Sequence, residues 1–273
     1  MERTFLHPPI AGIHIAERRS RIKLRLSPLG QQHQMKRICL WSGPRNVSTA
    51  LMYSFAQRSD TLVVDEPLYG HYLVTSGAEH PGRDEVIAAM DCDGDAVMAE
   101  LLHRHSDRPV LFAKQMAHHL VGIDWDLLGE FDHLLLIRDP QEMLPSLTIQ
   151  LPNARLSDTG LALQWDLVSW LTEQGRPPTI VDSRELLLDP AGILKQACES
   201  VGVAFQDAML SWPAGARPED GVWAQYWYDS VHRSTGFMEY KAKTGFPDAL
   251  RPLLDECRPY YEKLYAHALR QGA

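Results

Sequence analysis

Ile38-Cys39-Leu40-Trp41-Ser42-Gly43-Pro44-Arg45-Asn46-Val47-Ser48-Thr49 decides the fold. Four apolar residues bounded by a turn signal read as a buried strand, and Leu51, Met52, Phe55 and Ala56 then recur at helical spacing between Ser48 and Gln57. A strand that turns directly into a helix is the opening unit of a parallel α/β sheet. The turn carries an arginine and two hydroxyls at a helix start, where unpaired backbone N–H groups and the helix dipole favour an anion. That composition suits a cradle for a phosphate-like dianion. It equally suits a plain cap at Asn46 or Ser48 with Arg45 in solvent.

The same alternation continues outward. Thr61 to Val64, Pro109 to Phe112, His133 to Ile137 and Thr179 to Val181 read as further strands. Asp95 to His105, a segment opening at Asp139-Pro140, Leu161 to Glu173 and Ala191 to Val201 read as helices. Asp139 suits an N-cap and Pro140 a first helical residue. The pattern predicts one α/β domain, a five-stranded parallel sheet with helices on both faces. Residues 212 to 247, rich in Pro, Gly and aromatics, read as a long ordered loop before a C-terminal helix from about Pro247 to Arg270. In such a sheet ligands bind at the carboxyl ends of the strands, so the turns leaving the first four strands are the candidates for chemistry.

Composition limits the partners. The 273 residues carry 27 Lys+Arg against 35 Asp+Glu, a net charge of −8, which argues against a nucleic-acid surface. Residues 1 to 34 are unlike the rest: six basic side chains and two acids make them +4, leaving −12 for residues 35 to 273. They read as a disordered tail or as an upstream start with Met35 the true first residue, and their Arg-rich, acid-poor composition also suits a transit peptide. The domain is assigned to residues 35 to 273. No run approaches the roughly 20 apolar residues of a membrane span. Cys39, Cys92, Cys198 and Cys257 lie far apart without a CxxC pair, which speaks for a reducing compartment and a cytoplasmic protein.

A Walker A loop needs Gly-Lys-Ser/Thr where this chain has Val47-Ser48-Thr49. Pro44-Arg45-Asn46-Val47-Ser48-Thr49 instead resembles the 5′-phosphosulfate loop of the sulfotransferases, Pro-Lys/Arg-Ser-Gly-Thr-Thr, departing from it at Asn46 and Val47. Those enzymes use 3′-phosphoadenosine 5′-phosphosulfate (PAPS). A second element is similar: Arg138 ends a strand and Ser146 follows eight residues later, the family's pair for the 3′-phosphate. Ile180 to Pro190 is a looser third match, so the resemblance runs from about residue 37 to 205. It implies a P-loop-type five-stranded parallel sheet in a single domain, PAPS as co-substrate, PAP as product, no metal, and a small-molecule acceptor presenting a hydroxyl or amine. By the same resemblance Gly43, Pro44, Arg45, Asn46, Val47, Ser48 and Thr49 hold the donor with Arg138 and Ser146. Arg45 stabilises the leaving phosphate, and Arg233 is supplied by a C-terminal segment folded over the nucleotide. Ala50 stands where the family often has an adenine-stacking Trp, so adenine recognition is expected elsewhere, with the aromatic run Trp223 to Tyr228 a candidate.

The base is less clear in the sequence. Met116 occupies the position of the histidine that many cytosolic family members place after the third strand, and His118 and His119 follow it. Another bacterial group uses a glutamate after the second strand, and Val63-Val64-Asp65-Glu66-Pro67-Leu68-Tyr69 is similar to that segment, which makes Glu66 the first candidate. Asp65-Glu66 also resembles a Walker B pair, the best feature of a P-loop phosphotransferase or hydrolase. A non-catalytic nucleotide-binding domain of the same fold is a third reading, suited by Met116 and Val47.

Overall fold

A computed structural model describes residues 35–272. Residues 1–34, read above as a tail, a transit peptide or a mis-called start, lie outside the described residues. Five strands, β1 (Lys36–Ser42), β2 (Thr61–Asp65), β3 (Val110–Met116), β4 (Asp132–Ile137) and β5 (Thr179–Asp182), form one parallel sheet in the order β2-β3-β1-β4-β5. Parallel neighbours need crossover connections, and helices supply them. Between β1 and β2 lies α1 (Ser48–Ala56). Three helices precede β3: α2 (Tyr69–Ser76), α3 (Arg83–Ala89) and α4 (Gly94–His103). After β4 come α5 (Pro140–Gln150), α6 (Leu156–Thr159) and α7 (Leu161–Glu173). Beyond β5 follow α8 (Ser183–Leu188), α9 (Pro190–Ser200), the single turns α10 (Ala224–Trp227) and α11 (Asp229–His232), and α12 (Arg251–Ala266).

Alternation along each strand builds two cores. Cys39, Trp41, Leu111, Ala113, Leu135 and Ile137 point to one face, where they pack with Leu144 of α5, Leu167 of α7 and Leu254 of α12. Ile38, Leu40, Phe112, Leu134 and Leu136 point to the other, against Met52 and Phe55 of α1 and Ile193 of α9. Burying each such side chain contributes about 1.5–3 kcal/mol, so the strands must be apolar on both faces. Because β1 has β3 on one side and β4 on the other, the turn leaving β1 opens between the turns leaving those two strands. This is the switch point where open α/β sheets bind ligands.

The structure revises several sequence boundaries. β3 runs on to Met116, so Lys114-Gln115-Met116, expected in a turn, continue the strand, with Lys114 paired to Asp65 and Leu40 in register. Only Ala117–Leu120, a 3-10 turn, leaves it. α2, α3 and α8 had no strong periodic signal: they are 8, 7 and 6 residues long. The expected helix 95–105 is Gly94–His103, with Asp93 accepting the Ala96 N–H as its cap. Asp139 accepts the Gln141 N–H and caps α5 as expected from sequence. The C-terminal helix begins as a 3-10 turn at Asp248–Leu250 and ends at Ala266. The loop 212–247 is largely irregular, pinned by buried Trp212, Trp223 and Tyr228. No helix among the described residues is long and apolar enough to cross a membrane.

Candidate active site

A cavity of about 1250 Å³ lies at the carboxyl ends of the strands. Single-ligand pockets commonly span ~300–1000 Å³, so it has room for two ligands side by side. Gly43 to Thr49 form one wall. A Cβ at Gly43 would meet the Thr159 carbonyl oxygen at 2.6 Å, so the close approach of the α6–α7 junction requires glycine there. Arg45 sits at φ 53°, a left-handed conformation that costs an arginine about 1–2 kcal/mol. Asn46, at a position departing from the family pattern, ties the loop to β4: its Nδ2 donates to the Leu136 carbonyl (3.2 Å) and its Oδ1 accepts the Val47 N–H (2.8 Å). The N-cap of α1 is Val47, and no side chain caps the helix. The first N–H groups of a helix have no intrahelical partner, so this end is left open to an anion.

Arg45, Arg138 and Ser146, three residues singled out in sequence, form one unit. Arg45 Nε donates to Ser146 Oγ at 2.9 Å and Arg138 Nη1 donates to the Arg45 carbonyl at 2.7 Å. Arg138 also faces Glu142 across 3.6 Å, and its buried Nε has no protein partner. Burial and the neighbouring Arg138 charge both lower the Arg45 pKa, the signature of a cationic site that an anion would relieve.

A second cluster lies at the ends of β2 and β3. Lys114, only 1% exposed, donates to Asp65 Oδ1 (3.0 Å), to Glu66 Oε1 and to the Tyr228 hydroxyl (2.7 Å), using all three of its N–H groups. Tyr228 donates in turn to Asp65 Oδ2 (2.7 Å). Burial disfavours the ammonium, but the Asp65 and Glu66 carboxylates outweigh it and raise the Lys114 pKa. Burial raises the Glu66 pKa against the opposing pull of Lys114. Glu66 has φ 37° and lines the cavity, its N–H donating to the Lys114 carbonyl (2.8 Å) and its own carbonyl accepting the Tyr69 N–H (2.9 Å). Asp65 is committed to Lys114 and Tyr228, which leaves the Walker B-like pair without the free carboxylate that such a role uses. Lys114 has only a weak signal in the sequence, one charged residue in an apolar strand. Tyr228 stands out there as part of the aromatic run Trp223 to Tyr228, but nothing local ties it to Lys114, 114 residues earlier.

His118 and His119 also line the cavity. The His119 ring stacks between Tyr69 (centroids 5.1 Å) and Tyr72 (4.7 Å), and His118 meets Tyr72 edge-on at 5.0 Å. Burial, followed by the charge of His80, pushes the His118 pKa down to about 3, and burial first also holds His119 well below the usual range. Both are therefore neutral at pH 7. Met116 and Ala50 reach the same cavity. Arg233, expected at the nucleotide, does not line the main cavity: its exposed guanidinium pairs with Asp229 at 2.5 Å, and it lines an adjoining hollow of about 470 Å³ that shares Ser230, Ser234, Gly236, Phe237 and Met238 with the cavity. The i, i+4 spacing on a solvent-facing turn favours that local pair.

A sequence model of the family described as "Sulfotransferase domain" matches residues 35–268. The chain belongs to this sulfotransferase family. Two solved sulfotransferases share the fold of this one. The sulfotransferase domain from the curacin biosynthetic pathway has TM-score 0.50 at 14% identity, over 82% of this chain and 98% of its own. A sulfotransferase from Alicyclobacillus acidocaldarius has TM-score 0.51 at 12% identity, over 86% and 96%. Two Arabidopsis thaliana proteins, branched-chain-amino-acid aminotransferase-like proteins 2 and 1, are 40% and 41% identical to this sulfotransferase domain over 235 and 229 residues, or 85% and 83% of the chain. The chain spans about two fifths of the length of these curated relatives.

Proposed function

We propose that this domain moves a sulfuryl group from PAPS to a hydroxyl or amine of a small-molecule acceptor. The observation that carries the reading is the single cavity joining a cationic, uncapped helix start (Arg45, Arg138, Ser146) to a buried carboxylate, Glu66. The β1–α1 loop and the N–H groups of α1 would hold the 5′-phosphosulfate, and Arg138 with Ser146 the 3′-phosphate; the unpartnered buried Nε of Arg138 suits that anion. Adenine recognition falls to side chains other than Ala50, with Phe237 and Tyr240 available on the cavity wall. Four free cysteines support a reducing, cytoplasmic setting.

In the transfer, the acceptor oxygen or nitrogen bonds to sulfur as the bond between sulfur and the 5′-phosphate oxygen breaks, and the bonding pair leaves with PAP. The acceptor proton goes to Glu66, whose carboxylate is raised in pKa yet held in place by Lys114. Charge gathering on the leaving phosphate is met by Arg45, which stays protonated and acts electrostatically. A phosphotransferase or hydrolase reading would need Asp65 free, and it would leave Arg138 with Ser146 without a task.

Calorimetry with PAP, adenosine 5′-phosphate and ATP tests the donor assignment. PAP should bind about tenfold or more tightly than adenosine 5′-phosphate, the scale of one charge-assisted contact. Equal affinity for the three nucleotides would remove the 3′-phosphate site and the reading with it.

A further inference from the structure

The two ends of the cavity differ in charge. At one end stand Arg45 and Arg138, the latter facing Glu142, and Lys241 and Glu239 line the cavity as well. At the other, beyond Glu66, stand Glu79 and Asp158, neither in an ion pair among the described residues. Lys114 is the one cation lining the cavity among the strand residues, and its three N–H groups are already used by Asp65, Glu66 and Tyr228.

Asp158 Oδ2 accepts the Arg155 N–H (2.8 Å) at the start of α6, and aromatic side chains stand beside the carboxylate. Tyr72 and His80 have centroids 5.7 Å apart, His80 and Trp227 6.1 Å, and all three line the cavity. The Asp158 charge is felt by both the Tyr72 phenol and the His80 ring. His80, His118 and His119 are held neutral mainly by burial, so no imidazolium competes for Asp158. An independent observation points to a ligand at this wall: His119, 1% exposed, lines the cavity with its Nδ1 unpartnered by protein.

We propose that the acceptor is a hydroxylated amine, carrying an ammonium or quaternary ammonium group that sits against Asp158 and the Tyr72, His80 and Trp227 rings while its hydroxyl faces Glu66. Aromatic faces and carboxylates together are the chemistry that recognises such a cation. An anionic acceptor would meet Glu66, Glu79 and Asp158 with no free positive group, and would also face a polyanionic donor. The ammonium cannot itself be the nucleophile, since its nitrogen pair is occupied, so the hydroxyl takes the sulfuryl group. Its proton goes to Glu66, and the product is a zwitterionic sulfate ester. This inference rests on the sulfuryl-transfer reading of the same cavity.

The test uses the full chain, PAPS as donor and matched probes. Choline is set against its neutral isostere 3,3-dimethylbutan-1-ol, and tyramine against 4-ethylphenol and 3-(4-hydroxyphenyl)propionate. Binding of each probe to the PAP-loaded protein is read by calorimetry alongside turnover. At least one ammonium probe should exceed its neutral isostere in affinity or kcat/KM by about tenfold, within the range of a desolvated cation–aromatic contact, and the carboxylate probe should be the poorest. Asp158→Asn should shrink the ammonium-to-isostere ratio. A ratio near one for both pairs, a preferred carboxylate, or a ratio untouched by Asp158→Asn overturns the inference while PAP binding leaves the donor reading standing. Loss of specific PAP binding to the wild-type chain overturns both.

Discussion

The two ends of the cavity, assigned above to donor and acceptor as a proposal, are built by different means. The donor end is mostly backbone: a loop between β1 and α1, an uncapped helix start, and an arginine just after β4 with a serine eight residues on in α5. The acceptor end is mostly side chains, gathered from α2, the turn after β3, α6 and the segment around α10. A fold can keep the first with a short motif. The second can be refitted residue by residue without moving the sheet, as expected where one scaffold serves many acceptors.

If the two ends are separable, substitutions should split binding from turnover. The largest effect is expected at Glu66. Glu66→Gln should lower turnover by roughly 10² to 10⁴ while PAP affinity by calorimetry stays near that of the wild type. A parallel loss of both would join the ends that the comparison separates. Next is Lys114→Met, which leaves two buried carboxylates and a phenol without their cation. Breaking a buried ion pair costs about 3–5 kcal/mol, so the melting temperature should fall on the order of 10 °C. An unchanged melting curve would mean that solvent reaches the cluster.

A smaller and opposite effect is expected at the donor end. Arg138→Ala should weaken PAP by about 1.5–3 kcal/mol, read by calorimetry, while adenosine 5′-phosphate loses much less. Arg138 also donates to the Arg45 carbonyl and faces Glu142, so some loss is shared by both ligands; the difference between them reports the 3′-phosphate. Equal losses would make Arg138 a prop for Arg45 alone.

The same contrast explains what could be read from sequence. Strand runs such as Ile38–Trp41 and Leu134–Ile137 are buried on both faces and cannot be anything else at that length, so the five-stranded parallel sheet was legible. The β1–α1 turn and the Arg138–Ser146 spacing were legible because each is local. The Lys114 cluster was not, because its partners Asp65, Glu66 and Tyr228 lie 49, 48 and 114 residues away, and only the sheet register and the C-terminal segment bring them together. α2 has only a weak sequence signal for another reason: its sequence Tyr69-Gly70-His71-Tyr72-Leu73-Val74-Thr75-Ser76 is poor in helix formers and is held by tertiary packing of Tyr69 and Leu73. Arg233 lies outside the main cavity, paired with Asp229 one helical turn away, a local contact that no sequence spacing toward the cavity reports.

The smallest effect is expected at His118, and it is the sharpest test of which group takes the proton. A histidine pushed down to about 3 is unprotonated throughout the working range, but so weak a base takes up a proton poorly in a transition state. Glu66 is shifted the other way: burial raises its pKa above the ordinary 4.5, toward the pH at which a base works best. The sign follows. Turnover should fall as pH drops through the raised Glu66 pKa, because the protonated carboxyl cannot accept a second proton, and no step belonging to His118 should appear between pH 5 and 9. His118→Ala should therefore change turnover per folded molecule by less than about fivefold, well below the usual general-base contribution, and should keep the acid limb of the pH profile. Glu66→Gln should abolish that limb. Loss of the limb in His118→Ala, with the limb retained in Glu66→Gln, would move the base from the end of β2 to the turn after β3 and redraw the acceptor end around the Tyr72–His118 contact.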